Sequence, residues 1–227
     1  EAITVALEHG VPLIAIVDAM SVAASERLMR FNIAIDETPE CQDGWLDVTH
    51  ILTYVNALRH AVERYQNPEV LRLVFFGARF INNASPLDLP KDERVQPEPP
   101  TAEISASEAL TVLIQNIETP HTPRALGALT TYLATDGEIE PVRAFCEDLA
   151  FSDKLTRPIV VAHLIKTCVA AFEEHGCLQA NGNARAAHPL FALVRLATSP
   201  IAERRISRVC HEAINFIEHG KVPRLLT

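Results

Sequence analysis

One stretch of the chain constrains the fold more than any other: Thr156 to Gly176, TRPIVVAHLIKTCVAAFEEHG. Between Ile159 and Phe172 almost every residue is apolar or small, which predicts a single helix with no obvious solvent face. The interruption is His163, Lys166 and Thr167. Residues three and four apart share a helix face, so these three form one polar stripe. A helix that is apolar all round is expected to be buried, and a buried lysine is costly unless it is paired or chemically used. Two readings follow. His163 can be a core histidine bonded to a carbonyl, with Lys166 reaching water at a helix edge. Alternatively, the polar island is a functional site.

The remaining punctuation is helical too. Gly is scarce, at 8 of 227 residues, and aromatics make up only 6%, while Ala, Leu, Val and Ile abound. That balance favours helices over strands. Gly10-Val11-Pro12 separates a first helical stretch from an amphipathic one running from Pro12 to Phe31. Asp43 is placed to cap a long helix from Trp45 to Tyr65, with a core stripe of Val48, Ile51, Leu52, Val55, Leu58 and Val62. Asn67-Pro68 opens an apolar helix to Asn83, whose Gly77 suggests close approach of a neighbouring helix. Residues 84–102 are Pro-rich and charged, and read as a loop or linker. Ser105-Ala-Ser-Glu108 is a capping box. Further helices follow, the last opened by Ser199-Pro200. The fold expected is all-α: a single irregular multi-helix bundle over residues 1–227, with about nine or ten helices. The first residues, EAITVALEH, carry helical periodicity with no cap before them, as if the chain were the C-terminal part of a larger helical domain.

Composition narrows the function classes. The net charge of −9 argues against nucleic acid, whose recognition needs clustered Lys and Arg. No apolar run reaches the roughly 18 residues of a membrane span, so no membrane association is expected. The five cysteines are scattered with no C-x-x-C pair, which suits a reducing compartment and a cytoplasmic protein. G-x-G-x-x-G, G-x-x-x-x-G-K, H-E-x-x-H and G-x-S-x-G are all absent, removing the nucleotide, zinc-protease and hydrolase readings that rest on them.

What remains is a pairing of two histidines. On the 45–65 helix, His50 and Tyr54 lie along one edge of the core stripe, while Thr49, Asn56, His60 and Glu63 lie on the side away from it. His50 can therefore look into the core, and His60 is expected in water. His50 and His163 each project inward from an apolar helix, the way helical proteins build metal sites from facing helices. Imidazole suits iron, zinc, copper and nickel. Lys166 could join only as a neutral amine or, after reaction with carbon dioxide, as an anionic carbamate.

The segment DGWLDVTHILTYVNALRHAVERYQNPEVLRLVFFGARFINNASPLDLP resembles a stretch of certain bacterial helical proteins, some fused to a Rieske domain. It carries Trp45, His50, Tyr54-Val55-Asn56-Ala57, Pro68-Glu69 and Arg72 in the matching order. That group is similar in turn to the questin oxidase-like family, helical oxygenases of aromatic polyketides. The resemblance implies a non-haem iron held by several histidines and a modified lysine. His163 and Lys166 would be the matching pair and His50 a third ligand. Tyr54 and Thr167 would orient ligands or donate a hydrogen bond to dioxygen. The implied partners are dioxygen, an apolar aromatic small molecule and a separate electron-transfer protein, since no Rieske motif is present; a homo-oligomer is compatible with this. The relatives carry a further helical half upstream, which this sequence lacks. The competing classes are a non-enzymatic α-helical scaffold with a satisfied His/Lys core network, and a metal-free binder of small molecules.

Overall fold

The computed structural model describes residues 1–36, 44–65, 67–100, 102–135, 137–151, 158–199 and 213–222. Among them the fold is an all-α multi-helix bundle with no strand, as the composition predicts. The helices are α1 (Ala2–Glu8), α2 (Leu13–Arg30), α3 (Ile33–Asp36), α4 (Trp45–Arg64), α5 (Val70–Asn83), α6 (Ala106–Glu118), α7 (Thr122–Ala134), α8 (Ile139–Phe151), α9 (Pro158–Ala180) and α10 (His188–Ala197). Residues 213–219 are also helical. None of these helices is long and apolar enough to cross a membrane. The expected cap at Asp43 and the opening of the last helix at Pro200 fall outside the described residues.

The core forms where the apolar stripes meet. Val17, Ala24 and Leu28 of α2, and Ile51, Leu52 and Val55 of α4, are fully buried, with α9 and α10 closing over them. α6 and α7 pack as a pair, and α8 lies on α9. Five of the six stripe residues assigned to α4 are buried, while Val62 is half-buried. Local signals end these helices as the sequence suggests. Gly10, between α1 and α2, has a φ of 72°, a left-handed turn that glycine adopts without strain. Ser105 and Glu108 form both arms of the capping box.

The Pro-rich segment is fastened to the bundle. Asn32 N–H donates to the Leu87 carbonyl at 2.8 Å, Arg27 pairs with Asp88, and Glu98 N–H donates to the Pro123 carbonyl at 2.8 Å. Gly127 of α7 makes this docking possible. A Cβ there would lie 1.7 Å from the Glu98 carbonyl oxygen, so only glycine fits. At Gly77 the close neighbours are side chains rather than a helix backbone. A Cβ would come within 2.6 Å of Met20 and 2.9 Å of the Tyr54 ring.

Helix α9 departs from expectation in one respect. It is not buried all round: Ile159 is 51% and Val169 49% exposed, while His163, Leu164, Thr167, Cys168 and Ala171 are buried. The described helices cover one side of α9, which decides which side of the apolar cylinder is core.

A candidate histidine site between two parallel helices

α4 and α9 meet at two polar stations. His50 faces His163 at one, and Arg59 faces Glu174 at the other. Both pairs advance together along the two chains, so the helices run in the same direction. Nine residues of α4 separate the stations, about 13 Å along the axis.

At the first station the His50 and His163 rings meet edge to face, with centroids 4.7 Å apart. Their Nε2 atoms are 2.8 Å apart. His163 is buried and His50 half-buried. The other nitrogen of His163, Nδ1, is 2.6 Å from the Ile159 carbonyl, one turn back on α9. A carbonyl only accepts, so Nδ1 carries the proton and fixes the ring's orientation. In the neutral ring, Nε2 then presents a lone pair to His50. Only one proton fits between the two facing nitrogens. Either His50 donates Nε2–H to His163, or both lone pairs point at a shared acceptor such as a metal ion.

The other residues singled out from the sequence divide. Thr167, one turn beyond His163, is fully buried, and its Oγ1 makes no hydrogen bond among the described residues. A helical threonine ordinarily bonds back to the i−4 carbonyl, so this hydroxyl is available to a ligand. Lys166 is half-buried, and burial lowers its pKa from the ordinary lysine value, favouring the neutral amine. Tyr54 is directed elsewhere. Its hydroxyl donates to the Leu73 carbonyl of α5 at 2.9 Å, and its ring stands edge-on to Phe80. Burial raises its pKa, so it stays protonated. Tyr54 thus positions α5 against α4, and its donor is spent there. His60 is 61% exposed and lies 3.1 Å from Glu173, in water as the pattern implied.

Pattern reading misses the second station. Arg59 is 1% exposed and Glu174 fully buried. Arg59 Nε donates to Glu174 Oε1 at 2.9 Å and Nη2 to Oε2 at 2.7 Å, a two-pronged grip. Arg59 Nη1 lies 2.8 Å from Asp18 Oδ1 of α2, and Asn181 donates to the other Asp18 oxygen at 2.8 Å. Asn56 adds bonds to Glu173 and Glu174. The two carboxylates outweigh the desolvation that opposes them and hold the guanidinium pKa above its ordinary value. The available signal was Asp18, a lone acid in the apolar run Ile16 to Met20. Thr49 is also a correction. Placed away from the core stripe, it is 1% exposed, because α4 is covered on more than one side.

Among the described residues no third histidine, cysteine or carboxylate joins the His50–His163 pair as a metal-holding group. The pair still suits a metal. Two imidazoles bound at about 2.05 Å stand about 2.9 Å apart at right angles on one ion, and about 3.3 Å apart in a tetrahedron. The observed 2.8 Å is close to the first spacing. The Nδ1–H to carbonyl bond is the support that metal-ligating histidines ordinarily have. Compared with known proteins, the chain matches no family model, and no curated protein or solved structure matches it.

Proposed function

We propose that the His50–His163 pair is the nitrogen half of a non-haem iron site in a cytoplasmic, questin oxidase-like oxidoreductase that acts on an apolar aromatic small molecule with dioxygen. A single observation carries this reading: two Nε2 atoms from different helices converge at 2.8 Å, with His163 locked by Ile159 in the tautomer that leaves Nε2 free. Iron, when bound, would supply the oxygen chemistry. The chain's own groups would do the rest. His50 and His163 would hold the metal. The Ile159 carbonyl would keep the His163 ring from turning and make it a stronger donor. Lys166, whose pKa burial lowers from the ordinary lysine value, could add a ligand once deprotonated. The buried Thr167 hydroxyl would donate to a polar atom of the substrate or hold a ligand in place. Reducing equivalents would come from a separate electron-transfer protein, and a homo-oligomer is compatible with the site.

A second reading has its own support. The direct contact between the rings fits a metal-free His–His hydrogen bond in a helical scaffold or small-molecule binder. Elemental analysis of freshly purified protein beside His163→Ala separates the two. Near-stoichiometric iron in the parent, lost in the variant, supports the iron site. Parent protein that neither retains iron nor takes up ferrous ion on anaerobic addition would leave the metal-free pair.

A further inference from the structure

The chain buries a second arginine, and its surroundings are unlike those of Arg59. Arg195 of α10 is 4% exposed, inside the apolar run LFALVRLA. Among the described residues no carboxylate approaches it. Its nearest polar contacts are neutral and long: Nη1 to Thr122 Oγ1 at 3.4 Å and Nη2 to the Phe31 carbonyl at 3.5 Å. Nε has no hydrogen-bond partner. The guanidinium lies 5.9 Å from the Trp45 ring centroid, a modest attraction. Arg–carboxylate bonds run at about 2.7–2.9 Å, the range Arg59 achieves.

The location adds to the imbalance. Thr122 is the first residue of α7, so the cation stands beside the positive end of a helix dipole. Burial lowers the Arg195 pKa to about 10, which still leaves it charged at neutral pH. A buried cation beside a helix N-terminus, with no negative group among the described residues, is the costly arrangement that proteins otherwise neutralise. An anion at this point would meet the guanidinium fork, the helix dipole and the Thr122 hydroxyl, which can turn to donate. That hydroxyl now sits 2.8 Å from Thr198 Oγ1, whose own proton is directed to the Val194 carbonyl at 2.8 Å.

We propose that Arg195 and Thr122, at the junction of α7 and α10 beside Phe31 and Trp45, form an internal site for a small oxyanion: inorganic phosphate or the carboxylate of a small organic acid. The site is independent of the histidine pair and of iron. Its ligand is recognised by a fork that fits both oxyanions and fits chloride poorly.

The test is thermal unfolding of the whole protein at constant ionic strength, replacing chloride stepwise by phosphate or by acetate. A rise in midpoint that grows with the logarithm of anion concentration is expected, about 3 to 6 °C once the anion is tenfold above its dissociation constant. A rise with phosphate alone identifies a phosphate site, and one with acetate alone a carboxylate site. Thr122→Val leaves the cation in place and should weaken apparent affinity about tenfold. Arg195→Lys, which keeps the charge but loses the fork, should abolish that rise. No rise with either anion would overturn the proposal, as would an equal rise in Thr122→Val. If Arg195→Lys does not fold, the parent and Thr122→Val titrations decide alone.

Discussion

The two polar stations between α4 and α9 sit on the same pair of helices and behave differently. At Arg59, two carboxylates meet the guanidinium and two amides, Asn56 and Asn181, donate to those carboxylates. At His163, one nitrogen is fixed by a carbonyl, the other faces a second imidazole, and a buried hydroxyl one turn on has no partner among the described residues. The first pairs every charge it buries, with Arg59 Nη1 and Asp18 Oδ1 meeting as an ion pair outside hydrogen-bond geometry, and the second keeps a hydroxyl with neither kind of partner among the described residues. The difference shows how a core polar cluster that holds helices together can be told from one poised for a ligand: by counting lone pairs and protons, not by burial.

Breaking the closed station has the largest effect. Glu174→Ala takes the two-pronged partner from a buried guanidinium, leaving Asp18 alone to face it, and should cost about 3 to 5 kcal/mol, read as a fall in the urea midpoint. Removing all three charges, as Arg59→Met with Glu174→Leu and Asp18→Asn, should recover most of that loss. A triple variant as unstable as the single one would show that the loss is not that of an uncompensated buried charge. At the open station His163→Ala should cost less, about 1 to 2 kcal/mol, and its principal effect should be loss of bound iron. His50→Ala should lose iron equally. If only one of the two loses it, the shared site fails.

Thr167→Val sharpens the contrast further. The shape is kept and the orphan hydroxyl removed, so the metal-free protein should be unchanged or more stable by about 1 kcal/mol. Destabilisation of that size, measured by urea unfolding, would mean that the hydroxyl already has a partner. The smallest effect concerns pH. Burial sets the folded pKa of Lys166 below its ordinary 10.5. Below the folded value the buried cation carries its full desolvation cost. That cost is relieved as pH rises from the folded value through 10.5, because the unfolded state there binds more protons. Parent stability should therefore improve relative to Lys166→Met across that window, and parallel pH profiles would refute the assignment.

The helical fold was legible because each signal was local. A capping box, Gly-Pro punctuation and 3.6-residue stripes act within a turn or two. The meeting of His50 and His163 was legible for a related reason, since each was a polar residue on an inward edge. Arg59 was not, because a charged residue on an amphipathic helix ordinarily faces water. Nothing within α4 reveals an acid 115 positions later. Tyr54 was placed on the right edge of α4, but α5 claimed its hydroxyl. Arg195 carried a signal, a charge within LFALVRLA, whose meaning depends on Thr122 and Phe31 from distant helices.

The parallel course of α4 and α9 has a consequence for the chain as it leaves the ribosome. The polar bonds described across that interface join residues separated by 113 to 118 positions. At about 5 to 20 residues per second, α4 emerges about 6 to 23 seconds before its partner, when Asp18 is already made but Arg59 still lacks Glu174 and His50 lacks the second imidazole. Asp18 waits longer still for Asn181, across 163 positions. The nascent chain must therefore carry a half-paired cation and an apolar stripe not yet covered by α9 for many seconds, an interval in which a chaperone would find its target.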